Sequence, residues 1–279
     1  MQRCSKHVTR LTHCHLQYIV LATDLDIGKT NWGAAQANGS RSIYVWESSA
    51  DGVTWSRERL VELMPSTAGY VSLHPPSYSS PPNTMIADSQ KVWAPSATWD
   101  VQTSSYAVFW SSVIFEESDT AHTGPSQGPY IFYSHTSDFK TFASPRRWNP
   151  TTTATVIDQE IQFLGGETYV RYLSDTNEVK RVVLERSDNG LFGDWKRIGV
   201  PVDQVREGPA SYQDILDPQK YYLLEDNYSG AGYECYYTKD FSVPYTPCEP
   251  SLTPEGLRHG AVTQVDYTSY VALQKNVTG

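Results

Sequence analysis

The sequence predicts an all-β protein built as a five-bladed β-propeller with an incomplete first blade. Short segments rich in Tyr, Val, Ile, Phe and Trp recur between clusters of Gly, Pro, Asn, Asp and Ser, as expected for strands joined by turns. Signals for helices are scarce. A strand-and-turn unit is repeated along the chain, and its last three copies begin about fifty residues apart, which is typical of propeller blades.

Nine segments carry the strand pattern, in which β-branched and aromatic residues lie between turn residues. In chain order they are Tyr18–Thr23, Ser42–Glu47, Tyr106–Ser111, Tyr130–Ser134, Thr168–Leu173, Val179–Glu185, Tyr221–Glu225, Tyr233–Thr238 and Tyr267–Leu273. This number of short strands excludes a helical bundle and favours a sheet protein with many turns.

The repeated unit is a strand followed by Ser or Thr, an Asp in a turn, and an aromatic residue. Its copies begin at Ile43, Ile131, Val182 and Glu234. The Asp or Ser side chain can bond the amides of the turn while the aromatic ring packs beneath the corner. These four units, with a partial one at Arg258–Leu273, suggest five blades. A β-sandwich with Asp-containing hairpins is the alternative architecture.

We expect one propeller domain at residues 18–279. Residues 1–17 contain basic and histidine residues and have neither a strand pattern nor the apolar stretch of a signal peptide, so we place them outside the blades. Residues 71–90 are rich in Pro and Ser and form an insert. This insert is either a long surface loop or a translated intron.

Composition limits the function classes. The chain has 279 residues, with 22 basic and 31 acidic side chains and a formal charge of -9. We expect no nucleic-acid partner, because phosphate binding needs a concentrated basic face. We also expect no membrane partner, because no run approaches the roughly 18 apolar residues of a span. The 19 Tyr and 8 Trp suit either sugar stacking or a β-rich core.

Cysteines and glycosylation motifs bear on the compartment. Cys235 and Cys248 could close a short disulfide, and Cys4 and Cys14 form a second pair by spacing. The spacings do not match a zinc site. Three N-glycosylation motifs, at Asn38, Asn227 and Asn276, give mild support for secretion.

Candidate catalytic residues lie where inner strands of blades begin. Because such strands line a central channel, a carboxylate that opens one points into a shared cleft. Asp158 opens one unit, Glu207 opens the next in front of Gly208 and Pro209, and Arg258 with His259 opens the last. For each carboxylate alone, a solvated loop position is the alternative.

In their order, these residues resemble glycoside hydrolase family 43. The resembling stretches are Tyr18-Ile-Val-Leu-Ala-Thr-Asp-Leu, Gly39-Ser-Arg-Ser-Ile-Tyr-Val-Trp-Glu-Ser, Trp93-Ala-Pro, Ile157-Asp-Gln-Glu-Ile, Glu207-Gly-Pro and Arg258-His-Gly. The resemblance covers residues 18–273 apart from the insert. It implies a five-bladed propeller that hydrolyses arabinofuranosides or xylosides of plant cell walls, with an oligosaccharide or polysaccharide as substrate. It further implies an extracellular monomer.

The resemblance also implies roles for individual residues in an inverting mechanism. Glu207 is the general acid, which requires a raised pKa, and Asp158 orients it and supplies negative charge. Trp93 packs under the sugar ring or in the core, and Arg258 holds sugar hydroxyls or the base. His259 holds a central metal, commonly a structural calcium, or is a packed channel histidine. No cofactor is required for the reaction.

Two departures from the family pattern put activity in doubt. The family carries its general base as an Asp, usually followed by Pro, where this chain has Ser5-Lys6-His7-Val8. We therefore expect the innermost strand of the first blade to be missing. Ser96 stands where an acidic residue usually follows Trp-Ala-Pro. The chain is then either a truncated or mis-spliced hydrolase or a catalytically inactive propeller that binds glycans.

Overall fold

Four antiparallel β-sheets of four strands each make up most of the described chain, so the prediction of an all-β propeller is confirmed. The computed structural model describes residues 5–11, 17–25, 40–49, 52–64, 69–70, 85–86, 91–115, 119, 124–148, 155–177, 179–230, 232–250, 253 and 256–277. Of residues 5–11, 17, 69–70, 85–86 and 276–277 only the backbone is described.

Each sheet is one blade, and its strands are neighbours in chain order. The first blade contains β1 (Ser5–Leu11), β2 (Gln17–Thr23), β3 (Ser42–Glu47) and β4 (Arg59–Glu62). Two short strands, β5 (Gly69–Tyr70) and β6 (Met85–Ile86), pair with each other. The second blade contains β7 (Trp93–Asp100), β8 (Ser105–Ile114), β9 (Gln127–Thr136) and β10 (Arg146–Trp148). The third contains β11 (Val156–Gly165), β12 (Thr168–Asp175), β13 (Val182–Ser187) and β14 (Trp195–Gly199). The fourth contains β15 (Glu207–Gln213), β16 (Tyr221–Asn227), β17 (Gly232–Thr238) and β18 (Thr246–Pro247).

Blades pack face to face around a centre lined by their first strands. β1 contacts β7, β7 contacts β11, and β11 contacts β15. Apolar clusters fill the space between successive blades; Trp110 and Phe132 belong to the first, Leu173 and Trp195 to the second. β8 and β12 are covered on both faces, so nearly all of their residues are buried, including the charged Arg171 of β12.

The turn chemistry predicted for the repeated unit is confirmed after β9 and β17. Phe139 N donates to Thr136 Oγ1 at 2.9 Å, and Thr141 N donates to Asp138 Oδ1 at 2.8 Å. The Phe139 ring is fully buried. The same arrangement recurs at Thr238, Asp240 and Phe241, where Phe241 N donates to Thr238 Oγ1 at 3.0 Å. In each turn, Thr and Asp side chains therefore accept hydrogen bonds from the turn amides, and the aromatic ring of the same turn is buried.

The first blade differs from the expectation that its innermost strand is missing. The backbone of Ser5–Leu11 forms β1, which pairs with β2 through Val8 and Val20, Thr9 and Ile19. Sequence patterning gave no sign of this strand. The exposed edge of a strand offers unpaired N–H and C=O groups, and pairing with them does not require an alternating side-chain pattern.

The last unit is corrected by the structure, because the predicted strand Tyr267–Leu273 is part of an α-helix, α1 (Tyr267–Val277). Asp266 caps this helix: its Oδ1 accepts from Ser269 N at 2.9 Å, and its carbonyl accepts from Tyr270 N at 2.9 Å. A cap supplies local hydrogen bonds, whereas a strand would need a partner. No fifth four-stranded sheet is found in the described residues.

The segment 256–277 runs from the fourth blade to the first. Gly260 N donates to Tyr233 Oη of β17 at 2.6 Å, and buried Ser269 of α1 lies beside Gly52 of the first blade. It thus occupies the place between these blades where a fifth would close the ring.

Several further predictions can be placed. The disulfide between Cys235 and Cys248 is confirmed, with 5.3 Å between the Cα atoms. The pair Cys4 and Cys14 lies outside the described residues, and so does the insert at 71–90 except for β6. Within the described ranges we find no helix with both the length and the apolar character needed to span a bilayer. The domain boundaries stay a prediction.

Candidate active site

The inner strands of the blades share a β-bulge near their first residues. Pairing shifts register at this point in β7, β11 and β15, and β1 shows the same shift between Ser5 and Val8. The bulged residues Ala94, Asp158 and Gly208 have left-handed backbones, with φ of 52°, 55° and 57°. Because a bulge re-aims the side chains beside it, the four strands present equivalent positions at one end of the channel.

In β7, β11 and β15 a hydroxyl of the preceding blade accepts a hydrogen bond from the amide of the bulged residue. The bonds are Ala94 N to Thr23 Oγ1 (2.9 Å), Asp158 N to Ser111 Oγ (3.2 Å) and Gly208 N to Ser174 Oγ (3.1 Å). These contacts satisfy amides that the bulge removes from the ladder and join one blade to the next.

Asp158, Glu207 and His259 meet at this end of the channel. Asp158 Oδ2 accepts from Gly208 N at 3.1 Å. His259 Nε2 lies 2.9 Å from Glu207 Oε1, and its Nδ1 lies 3.8 Å from Asp158 Oδ2. The side chains of Glu207 and His259 are 29% and 23% exposed, whereas that of Asp158 is 6% exposed. A substrate can therefore reach Glu207 but not the inner carboxylate.

A fourth group, Asp226 of β16, completes the cluster. Its side chain is fully buried, and Oδ2 lies 3.2 Å from His259 Nε2. His259 Nε2 thus lies between the carboxylates of Glu207 and Asp226. The imidazole links the exposed carboxyl to the buried one, so the orientation of Glu207 depends on a residue of the neighbouring strand.

Gly208 lets the main chain approach the imidazole. Its φ is +57°, and a Cβ at this position would lie 3.0 Å from His259 Nδ1 and 3.1 Å from Cε1 and Cγ of the same ring. Both the left-handed backbone and the ring favour glycine here. The sequence Glu207-Gly208-Pro209 therefore places the carboxyl and the imidazole in contact.

Tyr233 of β17 holds the two loops of the cluster together. Its hydroxyl lies 3.0 Å from the carbonyl oxygens of Gly208 and Gly260 and accepts from Gly260 N. Burial raises the pKa of Tyr233, the Gly260 amide lowers it, and nearby carboxylates including Asp226 and Asp158 raise it further. The phenol therefore remains protonated and keeps its hydrogen-bond donor.

Trp93 and Arg258 lie near the same end of the channel but outside the carboxylate cluster. Half-buried Trp93 opens β7 at the register position of Glu207 in β15, with Lys91 Nζ 5.0 Å from its ring centre. Arg258 donates to the carbonyl oxygens of Tyr228 and Gly230, both at 2.8 Å. Its contact with sugar hydroxyls stays a prediction; the observed bonds hold the turn after β16.

Asp226 and Tyr233 were missed by the sequence analysis. Asp226 pairs with Glu207 as Ser174 pairs with Ile157 and Ser111 with Trp93. An alignment of the second strands of the blades would have shown an acid replacing serine at one position. Tyr233 carries no such signal, because tyrosine is common throughout these strands.

Asp158, Glu207 and His259 could also hold a metal ion, since one oxygen or nitrogen atom from each lies within 4.8 Å of the others. Calcium takes six to eight oxygen ligands, so two carboxylates and one imidazole fit it poorly. Such a mixed set is closer to what zinc or manganese accept. Glu207 Oε1 is moreover hydrogen-bonded to the imidazole.

One curated relative shares part of this chain. It is an α-L-arabinofuranosidase of Bifidobacterium longum subsp. longum, 30% identical over 159 residues. The match covers 55% of this chain and 13% of the relative, so the chain spans a small part of that protein's length.

Solved structures share the fold at low sequence identity. An endo-1,4-β-xylanase from Bacteroides thetaiotaomicron superposes with a TM-score of 0.54 at 15% identity, covering 95% of this chain and 81% of the other. A family 43 β-1,3-galactosidase gives a TM-score of 0.54 at 11% identity, covering 87% of this chain and 44% of the other. Because the named bonds differ, this likeness supports the propeller fold and leaves the substrate open.

Residues 5–270 match the family described as a probable glycosyl hydrolase domain related to glycoside hydrolase family 43. The match spans the four blades, the bulged strand entries and the segment that carries His259. The resemblance inferred from the ordered motifs is confirmed: the chain belongs to this family of glycoside hydrolase 43-related domains.

Proposed function

We propose that this chain carries the acid half of an inverting glycoside hydrolase site of α-L-arabinofuranosidase or β-xylosidase type. Its substrates are O-glycosidic bonds of plant cell-wall polysaccharides or oligosaccharides. The observation that carries the proposal is the accessible carboxyl of Glu207, held by His259 beside the buried carboxylate of Asp158 at a bulged strand entry.

In this proposal Glu207 is the general acid and Asp158 positions it. Glu207 gives its proton to the glycosidic oxygen as the bond to the anomeric carbon breaks, and water adds to that carbon from the opposite face. The base of an inverting pair lies about 6.5–9.5 Å from the acid. Asp158 is closer, with oxygen atoms within 4.8 Å, and buried, which supports a positioning role rather than that of base.

The general base is the missing half. The β1–β2 pairing shifts register between Ser5 and Val8, and the β7–β8 pairing shifts between Trp93 and Ser96. These matching shifts support treating Ser5-Lys6-His7-Val8 as equivalent to Trp93-Ala94-Pro95-Ser96. An Asp followed by Pro would fall on Lys6 and His7, and the segment contains no carboxylate. A propeller that binds glycans without cleaving them is therefore kept as the second candidate function.

Other roles belong to the same proposal. Trp93, at the register position of Glu207, is the platform under the sugar ring. His259 orients Glu207 through its hydrogen bond, and a structural calcium in the channel stays a prediction. Secretion and a monomeric state also stay predictions.

The test is to restore the base. We would assay the chain and a Lys6→Asp/His7→Pro variant on nitrophenyl α-L-arabinofuranoside and β-D-xyloside, following the anomer of the product by NMR. We expect no turnover by the chain itself, and turnover with inversion by the restored variant that is lost on adding Glu207→Gln. Turnover that survives Glu207→Gln would refute the acid assignment. No turnover in either form, with retained oligosaccharide binding, would favour the glycan-binding alternative.

A further inference from the structure

One of the N-glycosylation motifs, Asn227-Tyr228-Ser229, lies where β16 ends and the turn to β17 begins. Asn227 is the last residue of β16, and both Tyr228 and Ser229 are exposed. Of the three motifs in the chain, it is the one whose side chains all belong to the described residues. The acceptor asparagine is therefore placed at an exposed turn rather than inside a sheet.

The side-chain amide of Asn227 has one hydrogen atom to spare. Nδ2 carries two hydrogen atoms, and it donates one of them to Glu234 Oε1 at 2.9 Å. Within the described ranges Nδ2 has no second acceptor, and Oδ1 accepts from Ser229 Oγ at 3.3 Å. An N-glycan replaces one hydrogen of the amide and leaves the other. The bond to Glu234 can therefore persist in a glycosylated chain.

Gly230 keeps space open beside this amide. A Cβ at residue 230 would lie 2.5 Å from Asn227 Nδ2 and 2.7 Å from its Cγ. Gly230 does not have the left-handed backbone that favours glycine, so the backbone does not require this residue. The absent side chain therefore leaves room at the nitrogen atom to which a sugar would be joined.

The disulfide between Cys235 and Cys248 supports folding in an oxidising compartment such as the lumen of the endoplasmic reticulum. Chains that pass through this compartment are the ones on which the glycosylation motif is used. The disulfide belongs to the same blade as the motif, because it joins β17 to the segment after β18. Secretion itself stays a prediction, and the inference below depends on it.

The motif borders the candidate active site. Tyr228 lines a cavity of about 170 Å³ together with Glu207 and Arg206. The Glu234 carboxylate that accepts from Asn227 through Oε1 also accepts from Arg206 Nη2, through Oε2 at 2.9 Å. The attachment point is therefore next to one lining residue in the chain and is linked to another through Glu234.

We propose that Asn227 carries an N-glycan that stands at the entrance of the candidate active site. Because such a glycan is bulky and lies at the surface, it keeps large molecules away from the Glu207 carboxyl and leaves the carboxyl open to small ones. This inference goes beyond the proposed function and does not require turnover.

The first test is secretion of the full chain from yeast, followed by peptide mapping before and after enzymatic removal of N-glycans. We expect the Asn227 peptide to carry a glycan in molecules that also contain the disulfide between Cys235 and Cys248. Ser229→Ala removes the motif but keeps the Asn227 amide and its bond to Glu234, so its peptide should be unmodified. Ser229→Thr keeps the motif and should keep the glycan. An unmodified Asn227 in the disulfide-bonded chain would overturn the proposal.

The second test measures access to Glu207 in the absence of any substrate. A water-soluble carbodiimide would couple its carboxyl to glycine ethyl ester or to an amino-dextran, and mass spectrometry would quantify the loss of the unmodified Glu207 peptide. We expect coupling to the amino-dextran to be about threefold slower in the glycosylated chain than in Ser229→Ala, and coupling to the small amine to be equal. Trimming the glycan to its first sugar under native conditions should remove the difference.

Equal coupling of the amino-dextran in the two chains, or no coupling of Glu207 to the small amine, would overturn the role at the entrance. Neither result depends on the variant with a restored base, so the hydrolase proposal can fail while this one stands, and the reverse.

Discussion

Replacing Gly208 by alanine tests whether the cluster around His259 depends on a backbone that favours glycine. A left-handed conformation costs a residue with a Cβ about 1–2 kcal/mol. The new Cβ would also lie 3.0–3.1 Å from three atoms of the imidazole. That ring is hydrogen-bonded to Glu207 and lies 3.2 Å from Asp226 Oδ2, so it cannot move away without losing these contacts. Such overpacking adds about 1–3 kcal/mol.

Gly166 provides a matched control, because its φ is +59° and no heavy atom lies within 4 Å of a Cβ built on it. We expect Gly166→Ala to lower the free energy of unfolding in urea by about 1–2 kcal/mol. Gly208→Ala should lower it by about 1–3 kcal/mol more. In a His259→Ala background the excess should disappear, because the ring that the Cβ meets is gone.

Imidazole NMR signals of His259 give a second readout. Gly208→Ala should shift them, and Gly166→Ala should not, because only the first Cβ touches the ring. Equal losses of stability in the two variants, with His259 signals unchanged in both, would refute the reasoning that Gly208 is required by the imidazole.

Two further predictions concern buried charges. Arg171→Met leaves Glu185 buried without the bond from Arg171 at 2.6 Å, so the free energy of unfolding in urea should fall by about 3–5 kcal/mol. Arg186→Ala is the control, and it should lower the free energy of unfolding far less because its partner Asp188 is exposed. Equal losses in the two variants would contradict this reasoning. Burial raises the pKa of Glu225 well above its ordinary value, so the fold binds a proton there and stability should fall as pH rises from about 4.3 toward the raised pKa. Glu225→Leu should flatten this decline in urea unfolding at pH 5 and pH 8, and an unchanged decline would count against it.

Local chemistry explains which parts of the fold could be read from the sequence. The turns at Asp138 and Asp240 are made by side chains within a few residues of the amides they bind, so the repeat was visible. The segment after Asp266 shows the converse: a strand-like run is a helix, and Asp266 caps it. The pattern of that run did not reveal which hydrogen bonds would form.

The sequence by itself determined the all-β class, the blade repeat and the position of Asp158 and Glu207 at strand entries. The tertiary structure brings His259 to them from a segment that contains no strand. Only the tertiary structure decided how Asp226 and Tyr233 complete the cluster. Asp226 pairs with Glu207 next to the β-bulge of β15 and lies beside His259, and the Tyr233 hydroxyl contacts the carbonyl of Gly208 in the same bulge. The position of a bulge is set by the pairing between strands rather than by residue type.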